Sequence, residues 1–210
     1  MKYKDLTLGQ VEAILNKLGG MDGAMKFLRD ELLIISEPER AWREKNGVIY
    51  FTVTSDGTTG TEWVERLKKK GHFIGSDYAR SVLLADDFRP TSGITTEVAV
   101  LKDMPNEGEC NCSNETIRKA AEDLKLETPN AELACLICEK FTNDEIRQMG
   151  LRQIVVMHSP INDTNDYPRL LTIISEGRNR FLEVSLGKIR DRQRYEHGFA
   201  FTGSQEEKQS

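Results

Sequence analysis

Near the start of the chain apolar residues recur at helical spacing. Leu8, Val11, Ile14, Leu15 and Leu18 fall on one face, behind a Thr7/Gln10 capping box and ahead of a Gly19-Gly20 stop. Asp22 opens a second helix that carries Met25, Phe27 and Leu28 toward Leu32, so residues 1–36 read as a helical hairpin. Residues 36–47 are polar, with Trp42 the large anchor, and read as a connector.

The pattern then changes. Residues 48–54, VIYFTVT, are branched and aromatic and predict a strand, followed by the turn SDGTTG and a helix in TEWVERLKKK. Ser76 is placed to cap a short helix, DYARSVLL, and a turn at 88–93 leads into a strand on which Ile94, Thr96, Val98 and Val100 share one face. Residues 47–103 thus form a strand-helix-helix-strand unit. The polar DMPNEGECNCS at 103–113 reads as an internal linker.

In the second half, 114–210, a helix is expected from Asn114 to about Leu126, and Thr128-Pro129 is expected to open another. Thr142 and Glu145 form a second capping box, closed by Gly150. Ile154, Val155, Val156 and Met157 are apolar without alternation, which predicts a central strand covered on both faces. Strands at 170–174, 181–186 and 198–202 follow, joined by turns whose shortness predicts an antiparallel meander, before a polar tail at 205–210. The fold class is therefore α+β: a helical hairpin, the strand-helix-helix-strand unit, and a helical pair packed on a C-terminal antiparallel meander. The last two segments can form one domain.

Composition narrows the function. The chain has 210 residues, 38% hydrophobic and 30% charged, with a net charge of −5, which suits a soluble, slightly acidic protein rather than a wholesale nucleic-acid binder. No apolar run spans a membrane and MKYKDLTLG lacks a secretory core, so a cytoplasmic protein without a membrane partner is expected. Four cysteines are too few for a disulfide scaffold, and reduced thiols follow.

Several side chains invite chemistry. The strand, Gly-rich turn and helix at 48–70 suggest a phosphate loop, but Glu62 and Glu65 already occupy the positive end of the helix. Lys68, Lys69 and Lys70 at the other end complement its dipole and read as a solvated terminus. Cys110, Cys112, Cys135 and Cys138 have the count for a four-thiolate zinc site, yet Cys135 and Cys138 sit on an apolar helical face, ACLIC, where cysteine packs as a small hydrophobe. No metal or other cofactor is expected. His158, Asp163 and Asp166 could form a metal or acid-base site, while Ser159-Pro160 and the NDTND sequence are what a hairpin loop requires. Neither His72 nor His197 has a carboxylate, serine or cysteine at the spacing of a catalytic motif.

Lys188, Arg190, Arg192 and Arg194 recur at every second residue, so an extended backbone would point all four cations one way. Such a stripe suits phosphates or an acidic partner, and equally a charged strand edge that prevents pairing.

The segments LTLGQVEAILNKLGG, WVERLKKKGHFIGSDYARSVLLADDFRPTSGITTEVAVLK, PNAELACLICEKF, IVVMHSPI and GFAFTGSQ resemble uncharacterised proteins of candidate-phylum (Patescibacteria-type) bacterial genomes, over nearly the whole chain. The resemblance implies a small cytosolic protein of shared architecture and carries over no catalytic residue. This chain departs from it in its CNC pair, in Cys138 where relatives have arginine, and in the basic 188–194 stripe, where relatives are more acidic. The expectation is a small non-enzymatic binding or interaction module. A nucleic-acid or anion binder using the stripe is the alternative, and a zinc protein or metal-dependent enzyme the least favoured.

Overall fold

The computed structural model describes residues 7–29, 31, 40–102, 113–185 and 196–203. The chain divides into two compact units, 1–40 and 41–210.

The first unit is a pair of helices, α1 (Leu8–Lys17) and α2 (Gly20–Leu28). Thr7 and Gln10 form the expected reciprocal capping box, and Gly19, at φ 90°, makes the left-handed turn between the helices. Leu8, Val11 and Ile14 of the α1 stripe are exposed.

The second unit is built on one mixed sheet. Its strands are β1 (Arg43–Lys45), β2 (Val48–Asp56), β3 (Phe73–Ile74), β4 (Ser92–Lys102), β5 (Leu126–Glu127), β6 (Gln153–Val156), β7 (Ile161–Asn162), β8 (Pro168–Glu176), β9 (Asn179–Ser185) and β10 (His197–Gly203). The order is β1-β2-β4-β10-β6-β8-β9-β3, with β5 paired to β10 and β7 to β8. Its helices are α3 (Gly60–Lys69), α4 (Asp77–Leu83), α5 (Asn114–Asp123), α6 (Leu133–Lys140) and α7 (Asn143–Gln148).

The sheet is covered unequally. On one face Trp63 and Leu67 of α3, Val82 and Leu83 of α4, Ile137 and Cys138 of α6 and Ile146 of α7 pack on Ile49, Phe51, Val98, Val100, Ile154, Val156, Ile173 and Leu182. On the other, Ile117 and Ala121 of α5 meet Val48, Ala99, Leu101, Val155, Phe199 and Phe201. Alternate residues of β6 enter opposite cores, which explains its unbroken apolar run. Each fully buried side chain of this size contributes about 1.5–3 kcal/mol.

Four sequence expectations are modified. Strands β6, β8 and β9 form the antiparallel meander, but the last strand does not continue it. Instead β10 inserts between β4 and β6, antiparallel to the first and parallel to the second. Gly198-Phe-Ala-Phe is apolar on both faces, and the sheet centre is the place that buries both. Residues 43–50 form a hairpin rather than a plain connector, turning at Asn46 (φ 53°) and Gly47 (φ 75°), the Asn-Gly signal of a tight hairpin. Thr128-Pro129 does not open α6, which begins at Leu133 after Glu132. Glu132 is buried, and its Oε2 accepts the Thr91 amide at 2.8 Å and hydroxyl at 3.0 Å, tying the start of α6 to the turn before β4. Ile94, expected to share a face with Val98 and Val100, is exposed while they are buried. Among the described residues no helix is long and apolar enough to cross a membrane.

Candidate functional site

The residues that the sequence singles out do not converge on one centre. Lys188, Arg190, Arg192 and Arg194 lie outside the described residues, as do Cys110 and Cys112. Cys135 and Cys138 are free, wholly buried thiols on α6, inside the main core. Burial pushes the Cys138 thiol up to about 12 despite the nearby Arg180, and raises Cys135 in the same direction, so neither is poised to become a thiolate ligand.

His158 is a fully engaged core histidine. Its Nδ1 lies 2.7 Å from the Ser159 carbonyl and its Nε2 accepts the Leu171 amide at 2.9 Å, which fixes the neutral Nδ1–H tautomer. Burial, aided by the charge of Arg118, lowers its pKa to about 4. Asp163 closes its own turn: Oδ1 accepts the Asn165 and Tyr167 amides at 2.8 and 3.1 Å, and Oδ2 accepts Arg169 Nε at 2.5 Å. Burial pushes this carboxyl upward, but Arg169 and the two amides outweigh it and leave it lowered. Asp166 sits at φ 62° and accepts Asn162 Nδ2 at 2.7 Å. These three side chains are absorbed by separate hydrogen bonds, and no group of three or more metal-ligating side chains is found among the described residues.

The loop that suggested a phosphate cradle is likewise filled. Thr59 caps α3 by accepting the Glu62 amide, and Glu62 bonds back to the Thr59 amide at 2.8 Å. Arg66, one turn on, is held by Asp56, by Thr58 Oγ1 at 2.9 Å, and by Glu139 through Nε at 2.6 Å and Nη2. The guanidinium also lies 4.6 Å from the Trp63 ring.

A different site emerges where three chain segments meet. A cleft of about 480 Å³ is lined by Lys70, Gly71 and His72 after α3, by Asn143, Asp144 and Arg147 of α7, and by Gly177, Arg178 and Arg180 at the β8–β9 turn. Each segment arrives for local reasons. Lys70 is the C-cap of α3, and Gly71 at φ 76° redirects the chain into β3. The Thr142/Glu145 capping box starts α7. Asn143 then staples α7 to the hairpin: its Nδ2 donates to the Asn179 carbonyl at 2.9 Å, and Arg147 Nη2 donates to the Gly177 carbonyl. Parallel pairing of Phe73 with Phe181 and Ile74 with Leu182 sets His72 beside Arg180 one step earlier.

The electrostatics of the cleft are one-sided. It presents four permanent cations, Lys70, Arg147, Arg178 and Arg180, to one carboxylate, Asp144, in a chain whose net charge is −5. Lys70 pairs with Glu139 at 2.7 Å and Arg147 with Asp144 at 3.0 Å. Arg180 has no carboxylate partner among the described residues. It is 6% exposed, donating Nε to Asn143 Oδ1 at 2.9 Å and Nη1 to the Cys138 carbonyl at 2.5 Å. A guanidinium withdrawn from water with only neutral acceptors is costly, by several kcal/mol in an unrelieved case. Burial accordingly lowers its pKa from the ordinary arginine value. His72 is held neutral by burial and by the fields of Arg180 and Lys70, which together outweigh Glu139.

None of these cleft residues except Lys70 and His72 drew notice in the sequence. A signal was present: Arg180 alternates with Leu182 and Val184 on the core-facing side of β9, and a cation on the apolar face of a strand is unusual. The chain matches no family model, no curated protein and no solved structure.

Proposed function

We propose that the protein is a small, non-enzymatic binding module that recognises an anionic group in the cleft formed by Lys70, His72, Arg147, Arg178 and Arg180. The observation that carries this reading is Arg180, a buried cation whose hydrogen-bond partners are neutral and whose cleft holds more positive than negative charge. A bound anion supplies the missing countercharge, and in a partly desolvated site that pairing is worth more than on an open surface. Free, buried Cys135 and Cys138 suit a reducing, cytoplasmic setting. The segments that resemble the Patescibacteria-type proteins support placing the chain in that family.

The alternating cations Lys188, Arg190, Arg192 and Arg194 support a second reading, binding of nucleic acid or another anion outside the cleft. Thermal unfolding with pyrophosphate at low salt separates the two. If the cleft is the site, pyrophosphate raises the Tm of the wild type and of a variant with Arg190, Arg192 and Arg194 replaced by glutamate. Stabilisation at a hundredfold excess over Kd is about 2.7 kcal/mol, which raises Tm by roughly 2–4 °C per kcal/mol in a chain of this length. The rise disappears in Arg178→Glu/Arg147→Glu. A rise lost only in the triple variant assigns the anion to the stripe, and no rise in any protein rejects both.

A further inference from the structure

We infer that the cleft takes the terminal phosphate of a small phosphomonoester, and that the His72 ring binds a proton as that group enters. This rests on the anion-binding reading above and goes beyond it in naming the ligand's chemistry and the coupling.

The ligand class follows from where the donors stand. They approach from three segments, the end of α3, the first turns of α7 and the β8–β9 turn, rather than from one fork. A planar carboxylate is satisfied by a single bidentate guanidinium, whereas a tetrahedral oxyanion presents oxygens in several directions and accepts from all three. With Lys70 paired to Glu139 and Arg147 to Asp144, the two remaining cations, Arg178 and Arg180, suit a dianion better than the single charge of a phosphodiester. The cleft volume, 480 Å³, falls within the range of small-molecule sites.

The coupling follows from the position of His72. It lines the same cleft as Arg180, and among the described residues neither ring nitrogen has a hydrogen-bond partner, in contrast to His158, whose ring nitrogens are both engaged. The charged and titratable groups around it are Lys70 with its partner Glu139 of α6, Asp144, Glu145 and Arg147 of α7, Arg178 and Arg180 of the β8–β9 hairpin, and the Cys138 thiol beside Arg180. Burial, with the fields of Arg180 and Lys70 added to it, keeps the imidazole neutral. A dianion reverses the sign of that local field, and the ring then becomes a cationic donor to the oxyanion. Binding therefore strengthens as pH falls.

Calorimetric titration at pH 7.5 in two buffers of different ionisation enthalpy tests this, with sulfate as a tetrahedral dianion that does not itself titrate near neutrality. The expected result is proton uptake of a fraction of one proton per sulfate in the wild type, none in His72→Gln, and binding by that variant weakened by about tenfold to a hundredfold, the contribution of one charge-assisted hydrogen bond. Phenyl phosphate should bind at least about tenfold more tightly than dimethyl phosphate, since the second charge doubles the attraction to the same cations. Sulfate binding without proton uptake, or uptake that persists in His72→Gln, overturns the coupling while leaving anion binding intact. Equal affinity for phenyl and dimethyl phosphate overturns the monoester assignment, and tighter binding of a phosphoserine peptide than of phenyl phosphate overturns the small-molecule assignment. If neither sulfate nor any phosphate binds, the anion-binding reading itself fails. Near-ultraviolet circular dichroism of His72→Gln identical to wild type confirms that the comparison is between folded proteins.

Discussion

Arg180 Nε is held 2.9 Å from the side-chain carbonyl of Asn143, so a buried cation leans on an amide where a carboxylate would serve stability better. The two residues should therefore respond differently to truncation. Arg180→Met removes a buried charge along with its hydrogen bonds, and its cost to stability is expected within about 1 kcal/mol, because the avoided desolvation offsets the loss. Asn143→Ala leaves the guanidinium Nε without its partner and removes the bond to the Asn179 carbonyl, and should cost about 1–3 kcal/mol. Stabilisation by pyrophosphate vanishes in Arg180→Met. Urea unfolding with and without pyrophosphate measures both effects, and a severe loss of stability in Arg180→Met would show the arginine to be scaffold.

His158 predicts a pH dependence of folding. Its pKa is lowered from 6.5 to about 4 in the fold, so the folded state disfavours the proton that the unfolded chain accepts. The associated stability is complete above pH 6.5 and is lost progressively as pH falls toward 4, amounting to roughly 3 kcal/mol at 1.36 kcal/mol per pKa unit. His72 contributes with the same sign. The urea midpoint should thus drop between pH 7 and pH 4, and the slope should flatten in a His158→Asn/His72→Gln protein. A midpoint independent of pH over that window contradicts the hydrogen-bonded neutral ring.

Glu139 should show opposite effects on folding and binding. It holds Arg66 and Lys70 together, and their pull outweighs its burial to keep the carboxyl below its usual range. Arg66 is 35% exposed, so solvent screens part of the interaction and Glu139→Gln is expected to cost only about 1–2 kcal/mol. The same change frees Lys70 for the anion, so sulfate affinity should rise by about threefold to tenfold. Weaker sulfate binding in Glu139→Gln, measured by calorimetry on the folded protein, would place the anion elsewhere.

The two core cysteines should be chemically silent. In a Cys110→Ser/Cys112→Ser background, Cys135 and Cys138 are expected to resist a thiol reagent in the native protein and to react fully in denaturant, because burial disfavours both thiolates. Stoichiometric zinc in the purified wild type, measured by elemental analysis, would overturn the packing assignment.

Much of this architecture is legible in the residues, and the cleft is not. Thr7, Thr142 and Ser76 announce their helices because capping is a local hydrogen bond between neighbours in sequence. The double burial of β6 shows in its unbroken apolar run. The insertion of β10 between β4 and β6 escapes a reading of turn lengths, since it depends on which strand edges remain open after the others pair. The cleft escapes for a related reason. Lys70, Asn143 and Arg180 are brought together by a helix end, a helix start and a hairpin turn far apart in sequence, and no spacing rule links them. The position that could have been noticed is Arg180, a charge where alternation calls for an apolar side chain.

The most direct measurement is a titration of isotopically labelled protein with sulfate, followed by amide and arginine Nε–H chemical shifts. Shifts should move together, saturably, at residues 70–72, 143–147 and 177–180, with the Arg180 Nε–H among the largest, while the His158 turn stays fixed. Saturable shifts confined to other parts of the chain, or none up to concentrations at which sulfate acts only as bulk salt, would contradict an anion site at Arg180.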